Sequence, residues 1–211
     1  MATNMPPDLA KEYGEIKNEV MWIFYKWEIY TQLYSDAGTV DLLNEAAPSV
    51  FRILQDVVID DTLISLSRLN DPAKTGRFDN LTLNRLVESI DPVQFLECRT
   101  KVQSLINILD KKIDFARSHR NKRIAHSDLQ TRLQSPAQPL PDISLRAIQD
   151  LLDGVALVLN SIEMYFDSAS TSYGHTISPD DGNTLIEVLR MGVKYRQAEW
   201  DKMFTNEAVE E

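Results

Sequence analysis

The chain is short of glycine, cysteine and long apolar runs, and each shortage excludes something. Seven glycines in 211 residues leave few of the tight turns that an all-β fold consumes. One cysteine, Cys98, cannot form an intramolecular disulfide, and no Cys/His cluster has zinc-ligand spacing. No metal site is read from the residues, and no cofactor is expected. No apolar stretch approaches 18 residues, which argues against a membrane span. Residues 1 to 30 lack the basic start and uninterrupted apolar run of an export signal, so a soluble, cytoplasmic protein is the expectation.

What is present is helical periodicity. Apolar residues make up 43% of the chain, enough for a sizeable core. Val20, Ile23, Phe24, Trp27, Tyr30 and Tyr34 recur at intervals of three and four within a long helix predicted over 8–37. Trp and Tyr at that spacing read as core, not as a cofactor box. Thr39 is a candidate cap for a short piece that Pro48 interrupts, and a second long helix runs from Pro48 to Leu69, where "NDP" stops it. Thr82 caps a short helix over 83–90, and Asp91 followed by Pro92 reads as the start of the next. That helix carries apolar positions from Phe95 to Ala116. Residues 127–142 hold three prolines and read as irregular; Ser144 begins another long helix, and a last one covers about 183–203.

No strand pattern, repeat or low-complexity segment emerges. The expected architecture is all-α: an up-and-down bundle of four to five long helices with short accessory helices. The expected organisation is one domain over 8–203, its 181–203 helix accessory, with flexible ends at 1–7 and 204–211.

Charge supplies the functional lead. The net charge of −10 argues against a surface that clings generally to nucleic acid, and no DNA partner is expected. Between residues 99 and 132, however, nine Lys and Arg face three Asp, a local +6 that leaves −16 for the remainder. A basic region on an acidic body suits a local anion site, although helix ends also attract cations through the dipole. Its centre is "ARSHRNKRIAHSDL", residues 116–129. Arg and His six positions apart mean little in a chain with twelve Arg and three His; an Asn directly after the Arg makes the combination far rarer.

"RNKRIAH" resembles the signature of HEPN domains, the higher-eukaryote and prokaryote nucleotide-binding superfamily: Arg, a polar residue, four further positions, then His. Arg120, Asn121 and His126 match it in order and spacing. "ISLSRLNDP" (64–72) before "NLTL" (80–83) is similar to the subgroup linked with phage abortive infection, and the resemblance covers most of residues 10–170. It implies a metal-independent RNA endonuclease of toxin–antitoxin or phage-defence type, with paired Arg…His motifs facing each other across a homodimer cleft and possible restraint by an antitoxin protein. Members that have lost catalysis act as binding or scaffold modules, which is the alternative reading.

Residue chemistry agrees with that implication. An imidazole at His126 titrates near neutrality and can move a proton. The planar fork of Arg120 can meet phosphate oxygens as charge builds. Asn121 can hold ribose, phosphate or the histidine ring. Lys122 and Arg123, four and three residues before His126, share its face, would lower its pKa, and join Arg117 as candidate phosphate contacts. On an ideal helix, six residues place Arg120 and His126 about 120° apart. Either the helix departs from ideality there, or a second subunit completes the site. Among the other groups, His119 reads as a solvated neighbour and His175 as a loop residue. Asp60 or Asp61 is expected to pair with a cation such as Arg120 or Arg68, and Arg68 with Asp71 to form a loop clamp or a helix stop.

Overall fold

The computed structural model describes residues 3–124, 141–174 and 178–207. Eight α-helices occur among them: α1 (Pro7–Tyr34), α2 (Ala37–Ala46), α3 (Pro48–Leu69), α4 (Leu83–Ser89), α5 (Leu96–Lys112), α6 (Asp114–His119), α7 (Leu145–Asp167) and α8 (Gly182–Glu207). A π-helical turn, Arg120–Ile124, follows α6 directly. The architecture is an all-α bundle, as the periodicity predicts. One departure is a small antiparallel hairpin, β1 (Lys74–Thr75) with β2 (Phe78–Asp79), where no strand was expected. Its strands are too short to show a period of two, and Gly76, at φ +60°, supplies the left-handed turn between them.

Within the span read as one domain, the chain groups into two compact units: Met1–Phe24 with Asp60–His175, and Tyr25–Ile59 with Thr176–Glu211. In the first unit each long helix buries one stripe. Leu9, Ile16, Val20 and Ile23 of α1 are essentially inaccessible, as are Leu63, Leu66 and Leu69 of α3. Val102, Ile106 and Leu109 of α5, with Ile148, Leu152, Val155 and Leu159 of α7, complete the core. Each such side chain contributes roughly 1.5–3 kcal/mol when fully buried. Polar ties fix the neighbours: Lys17 of α1 lies 2.6 Å from Glu163 of α7, Glu12 pairs with Arg85 of α4 at 2.8 Å, and Glu19 pairs with Arg68 of α3. Residues 3–5, expected in a flexible lead, are instead held at the end of α7. There Asp167 accepts from the Thr3 hydroxyl at 2.7 Å and the Asn4 amide at 2.6 Å.

The second unit has its own apolar cluster of Leu33, Leu43, Phe51 and Ile186. Trp27 stacks on Tyr30 with ring centroids 5.0 Å apart, and the Tyr34 hydroxyl donates to the Phe51 carbonyl at 2.8 Å. The reading of aromatics as core holds for Trp27 and Tyr30 but not for Trp22 and Trp200, which are 60% and 48% exposed. Capping also differs at one place. The Asp36 side chain, not Thr39, caps α2 by accepting from the Thr39 amide at 2.8 Å.

Candidate functional site

The site is built where the buried stripe of α5 runs on past its own end. Cys98, Val102, Ile106 and Leu109 pass the stripe to Ile113 in a one-residue break, then to Ala116 and His119 of α6. His119 is therefore a core position, 5% exposed, which corrects its reading as a solvated neighbour. Its Nε2 lies 2.7 Å from the Pro141 carbonyl and donates to it, while its buried Nδ1 has no partner among the described residues. The lone thiol is no rival nucleophile, because burial pushes Cys98 up to about 11.

Immediately after His119 the backbone widens into the π turn that carries Arg120 to Ile124. Such turns are uncommon and recur at functional positions. The ideal-helix angle between Arg120 and His126 does not apply to this stretch, since its first five residues are not α-helical. His126 itself lies outside the described residues, as do most of the proline-bearing segment, 125–140, and His175. The motif is thus described at Arg120, Asn121, Lys122 and Arg123.

Three arginines leave this region, and each meets a carboxylate. Arg117 Nη2 lies 3.1 Å from Asp110 Oδ1 and also donates to the Asn70 carbonyl at 2.9 Å; its Nη1 is 3.9 Å from Asp114. Arg120 Nη1 donates to both oxygens of Asp71, at 3.0 and 2.9 Å, while its Nε donates to Asn121 Oδ1 at 3.1 Å. Arg123 pairs through Nη2 with Asp60, and its buried Nε has no partner among the described residues. Lys122 is half-buried and has no ion-pair partner among them.

The expectation that Asp60 or Asp61 answers a cation is met by Asp60, but its partner is Arg123. Arg68 and Asp71 do not clamp one another through their side chains: Arg68 turns to Glu19 and Asp71 to Arg120. Sequence reasoning missed the role of Asp71. Its signal was the "NDP" that ends α3, read as a helix stop or a clamp with Arg68.

The turn that presents Asp71 is rigidly tied. Its amide donates to the Arg68 carbonyl at 3.1 Å, and its carbonyl accepts from Asn84 Nδ2 at 3.1 Å. Asn70 beside it is 2% exposed and donates to Asp110 at 2.9 Å. Arg120 and Asp71 keep only 24% and 30% of their side-chain surface. Water therefore competes less for this pair than for an ordinary surface ion pair. A half-sheltered guanidinium, held through Nη1 and Nε, retains Nη2 without a partner among the described residues. Chemically it is an oriented donor for an anion. Among the described residues no group of three or more His, Cys, Asp or Glu is placed to hold a metal ion, and no helix is long and apolar enough to cross a membrane.

The all-helical bundle, with Arg120 and Asn121 on its π turn, agrees with the HEPN class that the sequence resembles. A family model, HEPN_AbiU2, described as AbiU2, matches residues 6–185, and the chain belongs to that family. Comparison with curated proteins and with solved structures returns no match.

Proposed function

We propose that the chain is a metal-independent RNA endonuclease of the toxin–antitoxin or phage-defence kind, working in the cytoplasm as a homodimer. The observation that carries this reading is the family match, which spans Arg120, Asn121 and His126 together. The oriented Arg120 guanidinium lends it chemical support. RNA brings its own nucleophile. The 2′-oxygen attacks phosphorus, the bond to the 5′-oxygen breaks, and the products are a 2′,3′-cyclic phosphate and a 5′-hydroxyl. His126 moves a proton in this step, Arg120 meets the charge that gathers on the phosphate oxygens, and Asn121 contacts the ribose or phosphate. Arg117, Lys122 and Arg123 are the flanking phosphate contacts, and an antitoxin protein is the natural restraint.

One observation favours a second reading, a non-catalytic module that binds a nucleotide or a partner protein. Arg117, Arg120 and Arg123 all have carboxylate partners, so the motif is far less positive than its sequence. Incubating the purified full chain with cellular RNA in EDTA, beside Arg120→Ala and His126→Ala, decides between them. The nuclease reading expects cleavage by the parent protein and a loss of at least a hundredfold in each variant, since a charge-stabilising donor or general acid–base group is worth about that much. Equal activity in all three, or none in any, removes it in favour of the binding module.

A further inference from the structure

The guanidinium of a long, flexible side chain stabilises a developing charge only if it is already aimed when the charge appears. At Arg120 the aim comes from outside the motif. Asp71, 49 residues earlier, takes Nη1 on both of its oxygens, and Asn121 takes Nε. Two of the three guanidinium nitrogens are thereby fixed, and Nη2, without a partner among the described residues, is the donor left for a phosphate oxygen.

Asp71 is itself braced. Asn84 holds its carbonyl and Arg68 accepts its amide hydrogen. The buried Asn70 ties the same turn to Asp110 of α5 and, through its carbonyl, to Arg117. The hairpin that follows closes the turn from the other side: the Asn80 side-chain amide donates to the Pro72 carbonyl at 2.9 Å and to the Thr75 hydroxyl at 2.7 Å. Many bonds converge on the turn that carries this carboxylate, which is itself half-buried. That is the pattern of a support that must not move.

We propose that Asp71 is the positioning residue for Arg120, its carboxylate locking the guanidinium so that one edge is presented to the scissile phosphate. The inference rests on the nuclease reading above. Asp71 does not attract RNA, because its charge cancels that of Arg120. Its effect belongs to the transition state, and therefore to kcat more than to KM.

The test measures cleavage of a fluorescent single-stranded RNA oligonucleotide in EDTA by the full chain. Asp71→Asn, Asp71→Glu and a control, Glu12→Gln, are compared with the parent. Glu12 forms a comparable half-buried pair with Arg85 and also accepts from the Ser89 hydroxyl. Asp71→Asn is expected to lower kcat about tenfold to a hundredfold, the cost of a misplaced catalytic contact. Its KM should stay within about twofold and its thermal midpoint near that of the control. Asp71→Glu should recover part of the lost kcat.

Cleavage by Asp71→Asn at or above the parental rate overturns the proposal, since the carboxylate would then be a bystander or a restraint. An equal fall in kcat for Glu12→Gln overturns it too, because general loosening of the unit would explain both. Either result leaves the nuclease reading standing. A parent protein that does not cleave removes that reading and this proposal together.

Discussion

Glu163 shows how a single side chain in the first unit is set by competing effects. Burial alone would raise its carboxyl above the ordinary 4.5; the Lys17 ammonium at 2.6 Å and the Thr171 hydroxyl at 2.8 Å outweigh burial and leave it lowered. A carboxyl lowered in the folded state adds stability that is fully present above its unfolded value. That stability is lost as pH falls through the lower, folded value. Unfolding by urea at a series of pH values from 7 to 3 is expected to show falling stability below about 4.5 in the parent, and a shallower fall in Glu163→Gln. Identical curves would show that Glu163 contributes nothing to acid sensitivity. Legibility at this scale followed distance along the chain. Arg120 and Asn121 stood out because their grouping is local. Asp71 and Asp60 were picked out, but not with their partners, since 49 and 63 residues separate them from their arginines and only the packing of α3 closes those gaps.

Elements were more legible than pairings, for the reason that caps and periodicity are local. Thr82 and Ser144 cap α4 and α7 as their positions predict, accepting from the Arg85 and Ala147 amides. Asp91 before Pro92 does cap a turn, accepting from the Val93 and Gln94 amides at 2.8 and 2.7 Å. Yet α5 begins only at Leu96. Phe95 leaves helical geometry at φ −127° and ψ 40° and sets its ring against Phe166 and Tyr165 of α7, with centroids 5.0 and 6.3 Å away. Tertiary packing of one aromatic ring overrode a strong start signal, and sequence spacing had no access to it. Helix α7 meets α5 elsewhere too. A Cβ at Gly154 would lie 2.5 Å from Leu109 Cδ2, so the smallest residue marks a close approach. Gly154→Leu is expected to destabilise the protein by about 1–3 kcal/mol through overpacking, even though leucine favours helix over glycine. Chemical denaturation measures this, and an unchanged midpoint would mean that Leu109 moves aside freely.

Across the whole molecule, the sequence presents a contradiction between a +6 window and a −10 chain, and the fold resolves part of it. Two of the carboxylates that neutralise the window, Asp60 and Asp71, come from outside it; Asp110 and Asp114, inside it, occupy Arg117. Among the described residues near the motif, Lys122 and Nη2 of Arg120 are left without a carboxylate partner. If all nine Lys and Arg of the window engaged single-stranded RNA, log K would fall against log salt with a slope of about −6, at roughly −0.7 per phosphate. With three of the nine paired to carboxylates, the paired state predicts a slope no steeper than about −4, equivalent to about six phosphates. Fluorescence anisotropy with a labelled single-stranded RNA, using His126→Ala to prevent the cleavage proposed above, reads this directly between about 50 and 200 mM salt. A slope near −6 would mean that the aspartate pairs open to release their arginines when RNA arrives, so that the acidic partners act as a gate. A shallow slope with weak affinity would place recognition in a few oriented contacts, where an acidic body can carry an RNA site without binding RNA everywhere.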